Sequence, residues 1–139
     1  MATEGFYLGG VIYGATGDRT GELVDYDPSD LTTHGVIVGM TGSGKTGLGI
    51  IYLEEALLAG IPTLILDPKG DMTNLLLTFP ELTPADFEPW IDEAVARKEE
   101  KTVVQLATEK AELWAEGLGR WEQDGSRIKK LGDSAGFTI

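Results

Sequence analysis

Gly39-Met40-Thr41-Gly42-Ser43-Gly44-Lys45-Thr46 is the stretch from which the rest of the sequence is best read. It fits G-x-x-x-x-G-K-[ST] at every position, and each residue type there has a physical task. Glycines let the backbone turn sharply and approach a polyphosphate with no Cβ in the way. Successive amides from Gly42 to Gly47 can converge as an anion nest. A helix starting at Lys45 adds its free N–H groups and the positive end of its dipole. Thr41, Gly42, Ser43, Gly44, Lys45, Thr46 and Gly47 are therefore the expected nucleotide-binding residues. Lys45 is the catalytic candidate, a point charge on the β- and γ-phosphates. The Thr46 hydroxyl is the expected metal ligand, one oxygen on a Mg²⁺ that keeps several waters. The chemistry implies ATP with Mg²⁺.

The flanks give this loop its context. Gly35-Val36-Ile37-Val38-Gly39 is a short β-branched run between glycines, which reads as a buried strand. Lys45 to Ala59 has the length and composition of a helix, with Gly60 as its C-cap. Thr63 to Leu66 reads as a second buried strand, ending at Asp67. Strand, loop, helix, strand is a βαβ unit, so the expected fold class is α/β with a parallel sheet. Asp67 has two readings. It is a catalytic candidate that contacts the metal site through water, because a carboxylate at a strand's C-terminal edge borders the ligand crevice of a parallel sheet. Alternatively it caps the turn at Lys69-Gly70.

Working outward, three segments emerge. Residues 1–30 form a short β and turn segment, with strands expected at Phe6 to Val11 and Glu22 to Tyr26 and a turn at Asp27-Pro28-Ser29-Asp30. Residues 31–80 hold the nucleotide-binding core. Residues 81–139 read as a helical insertion. Thr83-Pro84 is a helix start, and Phe87, Trp90, Ile91, Ala94 and Val95 follow one helix face. A longer helix is expected from about Thr102 to Glu122, with Leu106, Leu113, Trp114, Leu118 and Trp121 as its apolar stripe. Gly136-Phe137-Thr138-Ile139 looks like a strand just starting, so an incomplete domain is expected.

Composition narrows the function classes. The 139 residues suffice for one domain. The absence of cysteine excludes disulfides, a thiol nucleophile and a Cys-based zinc site. The net charge of −12 argues against a duplex-binding face, and the only basic cluster is Arg127, Lys129 and Lys130. No basic start leads into an apolar run, and no stretch approaches the roughly 20 apolar residues that cross a bilayer, so a cytoplasmic location is expected.

Asp67-Pro68-Lys69-Gly70-Asp71, read with the strand and loop before it, resembles the HerA/FtsK superfamily of ring-forming ATPases that pump DNA. Conjugative coupling proteins of that superfamily carry a similar segment after the same strand. His34 through Thr46 looks like the HerA branch, where a histidine precedes the strand and a Thr-Gly-Ser-Gly-Lys loop follows. The stretch Thr73 to Pro80 is similar to large bacterial HerA-like ATP-binding proteins. The resemblance implies a P-loop NTPase core, ATP hydrolysis coupled to DNA translocation, and a homo-oligomer of the hexameric type that meets DNA through the complete ring. It assigns the nucleotide role to Thr41 to Gly47. His34 matches the family pattern, with packing or hydrogen bonding at the sheet edge as its expected role. No second apolar strand ending in Asp-Glu is present, and none of Arg19, Arg97, Arg120 and Arg127 lies in a finger motif. The catalytic glutamate and arginine finger are therefore expected beyond Ile139. Two other readings stay open, a non-catalytic nucleotide-binding module and a small P-loop kinase.

Overall fold

Strand-forming residues on either side of a turn-rich stretch account for the first element pair. In a computed structural model, which describes residues 5–136, β1 (Phe6–Ile12) pairs antiparallel with β2 (Arg19–Tyr26). The turn closes where the Tyr13 amide donates to the Asp18 carbonyl at 2.7 Å and the Gly17 amide to the Tyr13 carbonyl at 2.8 Å. The register shifts between Tyr7 and Gly9, and Gly9 takes φ of 128°, open mainly to glycine. After β2, Asp27 accepts from the Ser29 amide at 2.8 Å and starts a 3-10 turn over Pro28–Leu31, in the place of the expected turn.

The chain divides into two compact units, one of residues up to Leu77 with those from Asp133 onward, the other Thr78–Gly132. In the first, α1 (Lys45–Leu58) is the expected helix. Its end closes as expected, with Gly60 in the left-handed region at φ 74° and the Gly60 and Ile61 amides donating to Leu57 and Ala56, each at 2.9 Å. The hairpin lies on α1. The Tyr7 amide donates to the buried Glu55 carboxylate at 3.0 Å, and Tyr26 meets Tyr52 edge to face with ring centroids 5.5 Å apart. Glu55 reads in sequence only as a break in an apolar run.

The two expected parallel strands carry no strand pairing among the described residues, and the sheet described is the β1–β2 hairpin. Their side chains nevertheless alternate. Val36, Ile37 and Val38 are 79, 40 and 83% exposed, and Leu64, Ile65 and Leu66 are 86, 38 and 85% exposed. This is the period of two that a strand requires. Both segments are thus exposed, one face more than the other, where buried strands were expected, since no neighbouring strand covers or pairs with them among the described residues.

In the second unit, the Asp86 carboxylate accepts from the Thr83 amide at 2.9 Å and the Thr83 hydroxyl at 2.8 Å, and starts α2 (Pro84–Phe87). The single helix face expected from Phe87 to Val95 is not formed. Pro89 removes an N–H from the helix ladder, a 3-10 turn follows over Glu88–Trp90, and Ile91 leaves the helical region at ψ 122°. Asp92 then caps a separate α3 (Glu93–Lys98) through the Ala94 amide at 2.7 Å. Thr102 and Gln105 form a capping box at the start of α4 (Val103–Gly119).

The apolar stripe of α4 differs from the expected one. Leu106, Ala107 and Ala111 are buried, whereas Leu113 and Trp114 are exposed and Leu118 is half-buried. Small residues let another element come close. Phe87 of α2 packs on Ala107 and Ala111, with Phe79, Leu82 and Ile91 around it. A final helix, α5 (Gly125–Ser134), follows the longer helix expected to end near Glu122, and it carries two helix-weakening glycines, Gly125 and Gly132. Asp124 offsets the first by accepting from the Ser126 amide at 2.9 Å. Gly125 is required for another reason, since a Cβ there would lie 2.0 Å from the Pro80 carbonyl oxygen. Gly125→Ala should therefore destabilise this unit by about 1–3 kcal/mol despite the helix propensity of alanine. Thermal unfolding followed by circular dichroism checks it, and an unchanged midpoint would show that the Pro80 turn yields freely. The expected strand at Gly136-Phe137-Thr138-Ile139 falls mostly outside the described residues.

Candidate functional site

The glycine pattern of residues 39–46 becomes a definite turn. Gly42 and Gly44 both take left-handed backbone, at φ 81° and 87°. A Cβ on Gly39 would lie 2.4 Å from the Ser43 Oγ, so any other residue there would have to displace the serine side chain. The Ser43 amide donates to the Met40 carbonyl at 3.2 Å, and the Lys45 Nζ donates to the same carbonyl at 2.6 Å. The lysine ammonium thus lies over its own loop.

Gly44 precedes α1 without a side-chain cap, unlike the starts of α3 and α4, which Asp92 and Thr102 cap. The first amides of a helix have no carbonyl behind them within it. At the N-terminus of α1 they belong to Lys45, Thr46 and Gly47. Thr41, Gly42, Ser43, Gly44 and Gly47 are exposed, while Lys45 and Thr46 are half-buried. The loop brings together all the residues expected to bind nucleotide. The donor set of backbone amides, one ammonium and one hydroxyl fits a polyanion and its Mg²⁺.

Asp67 organises the next loop. Its carboxylate accepts from the amides of Met72 at 2.8 Å, Gly70 at 2.9 Å and Lys69 at 3.2 Å. The Met72 amide foremost, joined by those of Gly70 and Lys69, holds the Asp67 carboxyl below the usual carboxylate range against the opposing effect of desolvation. This geometry is the turn-capping arrangement. Lys69 extends into solvent with its Nζ 3.2 Å from the Asp71 carboxylate. His34 is exposed, in place of the packed or hydrogen-bonded position expected at a sheet edge.

A mixed α/β chain whose helix opens from a complete G-x-x-x-x-G-K-[ST] loop is the class defined here. The chain belongs to the family described as the helicase HerA central domain, which matches residues 13–124. The resemblance to the HerA branch is thereby borne out. The chain is also 36% identical over 62 residues to the type 4 coupling protein DotL of Legionella pneumophila subsp. pneumophila (strain Philadelphia 1). That match covers 45% of this chain and 8% of the relative's length. No solved structure matches. Among the described residues no helix is long and apolar enough to cross a membrane.

Proposed function

We propose that this chain binds ATP with Mg²⁺ through residues 41–47, as the nucleotide-binding part of a HerA-type motor in which hydrolysis drives movement along DNA. The observation that carries the reading is the uncapped N-terminus of α1 behind two left-handed glycines, within a complete phosphate-loop pattern. Backbone amides of the loop and first turn would hold the β- and γ-phosphates, and the Lys45 ammonium would leave the Met40 carbonyl for them. Thr46 would supply one Mg²⁺ oxygen. When bound, the ion neutralises charge that develops on the phosphate oxygens. Asp67, whose oxygens already serve three amides, would act on the site through the loop it shapes. Membership in a helicase family supports the motor reading. Translocation of DNA, assembly into a hexameric ring and a completed parallel sheet belong to this proposal for the whole protein.

Calorimetric titration with ATP in Mg²⁺ and again in EDTA tests the reading. The chain should bind ATP and gain affinity from Mg²⁺. Thr46→Ala should lose most of that gain while keeping binding in EDTA, since one hydroxyl among several ligands is removed. Absence of binding by the unaltered chain overturns the proposal. A full Mg²⁺ gain in Thr46→Ala removes Thr46 from the ligand set.

A further inference from the structure

Arg19, Lys45 and Lys69 are the basic side chains of residues 5–77. Arg19 begins β2, and Lys45 belongs to the phosphate loop. Lys69 therefore has no role yet, although it sits on a loop with its own hydrogen-bond network. Three amides bind the Asp67 carboxylate, and the Thr73 hydroxyl donates to the Gly70 carbonyl at 3.2 Å. Gly70, at φ 75°, turns the chain directly after Lys69. The loop is thus hydrogen-bonded around an exposed lysine whose ammonium faces solvent beside Asp71.

The loop is also anchored beside the phosphate loop. The Met72 Cε and the Ile37 Cδ1 lie 3.7 and 4.0 Å from where a Cβ on Gly49 would stand. Ile37 is two residues before Gly39, and Gly49 is about one helical turn past Lys45. Three peptide steps separate the Met72 and Lys69 Cα atoms, a span of at most about 11 Å, and the Met72 side chain reaches from there to Gly49. One helical turn adds about 5–6 Å on the other side. An extended lysine side chain and a triphosphate can bridge that interval.

We propose that Lys69 is a second cation of the nucleotide site, which contacts the terminal phosphate of ATP bound at residues 41–47. The inference rests on the nucleotide-binding reading above. Asp71 is its resting partner. The pair is a solvent-facing one, with side chains 81 and 39% exposed, and such pairs hold weakly enough to be exchanged for a more highly charged anion. Asp67 acts as a positioning residue through the loop it shapes. Lys45 and the loop amides serve the β-phosphate as well as the γ-phosphate, so a cation arriving from the second loop distinguishes ATP from ADP.

The test is titration of this chain with ATP–Mg²⁺ and with ADP–Mg²⁺, for the unaltered sequence and for Lys69→Ala, Lys69→Arg and Lys45→Ala. Lys69→Ala should weaken ATP by about tenfold, the size of one charge-assisted hydrogen bond, and change ADP by less than about twofold. Lys69→Arg should keep most of the preference for ATP, because the charge survives. Equal loss of ATP and ADP affinity in Lys69→Ala overturns the assignment and leaves Lys69 a loop-shaping residue. Unchanged affinity for both, with binding still lost in Lys45→Ala, overturns it too while the phosphate-loop reading stands. Unchanged binding in Lys45→Ala removes both.

Discussion

Lys45→Ala should weaken ATP binding by at least about 100-fold and leave the thermal unfolding midpoint unchanged within about 2 °C. The loss follows from what the ammonium would replace. A hydrogen bond to a charged group contributes about 1.5–3 kcal/mol, and Lys45 is expected to serve two phosphates, so truncation removes roughly two such bonds. Every 1.4 kcal/mol is about tenfold in affinity. The fold should persist because the recorded bond of the ammonium is local, 2.6 Å to the Met40 carbonyl within the same loop. None of the buried residues of the first unit depends on that ammonium; Phe6, Glu55, Leu57 and Leu75 lie elsewhere. The measurement is calorimetric titration paired with thermal unfolding by circular dichroism. Unchanged affinity would show that the loop does not hold the nucleotide. Lost binding with a collapsed midpoint would show instead that Lys45 supports the fold.

Residues 1–139 alone should bind ATP yet release phosphate at no more than about one turnover per hour, and should not retain duplex DNA. Phosphoryl transfer needs an oriented water, a group that accepts its proton, and cationic charge on the γ-phosphate beyond Lys45 and Mg²⁺. Asp67 is the carboxylate the sequence offers for the second task, but its oxygens are occupied by the amides of Lys69, Gly70 and Met72. An arginine finger raises the rate by about 10³–10⁵, and no arginine of this chain lies in such a motif. Lys69, even on the terminal phosphate, is a lysine point charge and lacks the planar fork of arginine. For DNA, the net charge of −12 opposes a polyanion. Phosphate release with and without DNA, beside a gel shift at low salt, checks both parts. Several turnovers per minute would move Asp67 or Asp71 from loop organisation to catalysis. A shifted band would mean that the residues near Arg127 and Lys130 outweigh the global charge. A chain that binds ATP and remains inert is also what a non-catalytic nucleotide module predicts. The whole protein's turnover separates the two, and the curated relative is matched over only 8% of its length.

The phosphate-loop pattern, α1 with its glycine stop and the two N-terminal strands were legible in the sequence, because local forces set all of them. Left-handed φ demands glycine at 42, 44 and 60, and each periodicity repeats within a few residues. The HerA resemblance was legible for the same reason, since it rests on short contiguous motifs. Asp67 shows the boundary. Its residue type allowed a metal-side role or a turn cap, and only the positions of three amides in the folded loop show it as the cap. Tertiary structure alone decided which side of α4 is buried. Leucine and tryptophan look more like core than alanine does, but the aromatic ring of Phe87 needed a shallow seat, which Ala107, fully buried, and Ala111 provide. It also decided that Glu55 is buried, because the amide that satisfies it belongs to Tyr7, 48 residues earlier. That residues 35–39 form no ladder among the described residues has the same physical origin. Strand propensity is local, but a ladder exists only where another segment lies alongside to share its hydrogen bonds.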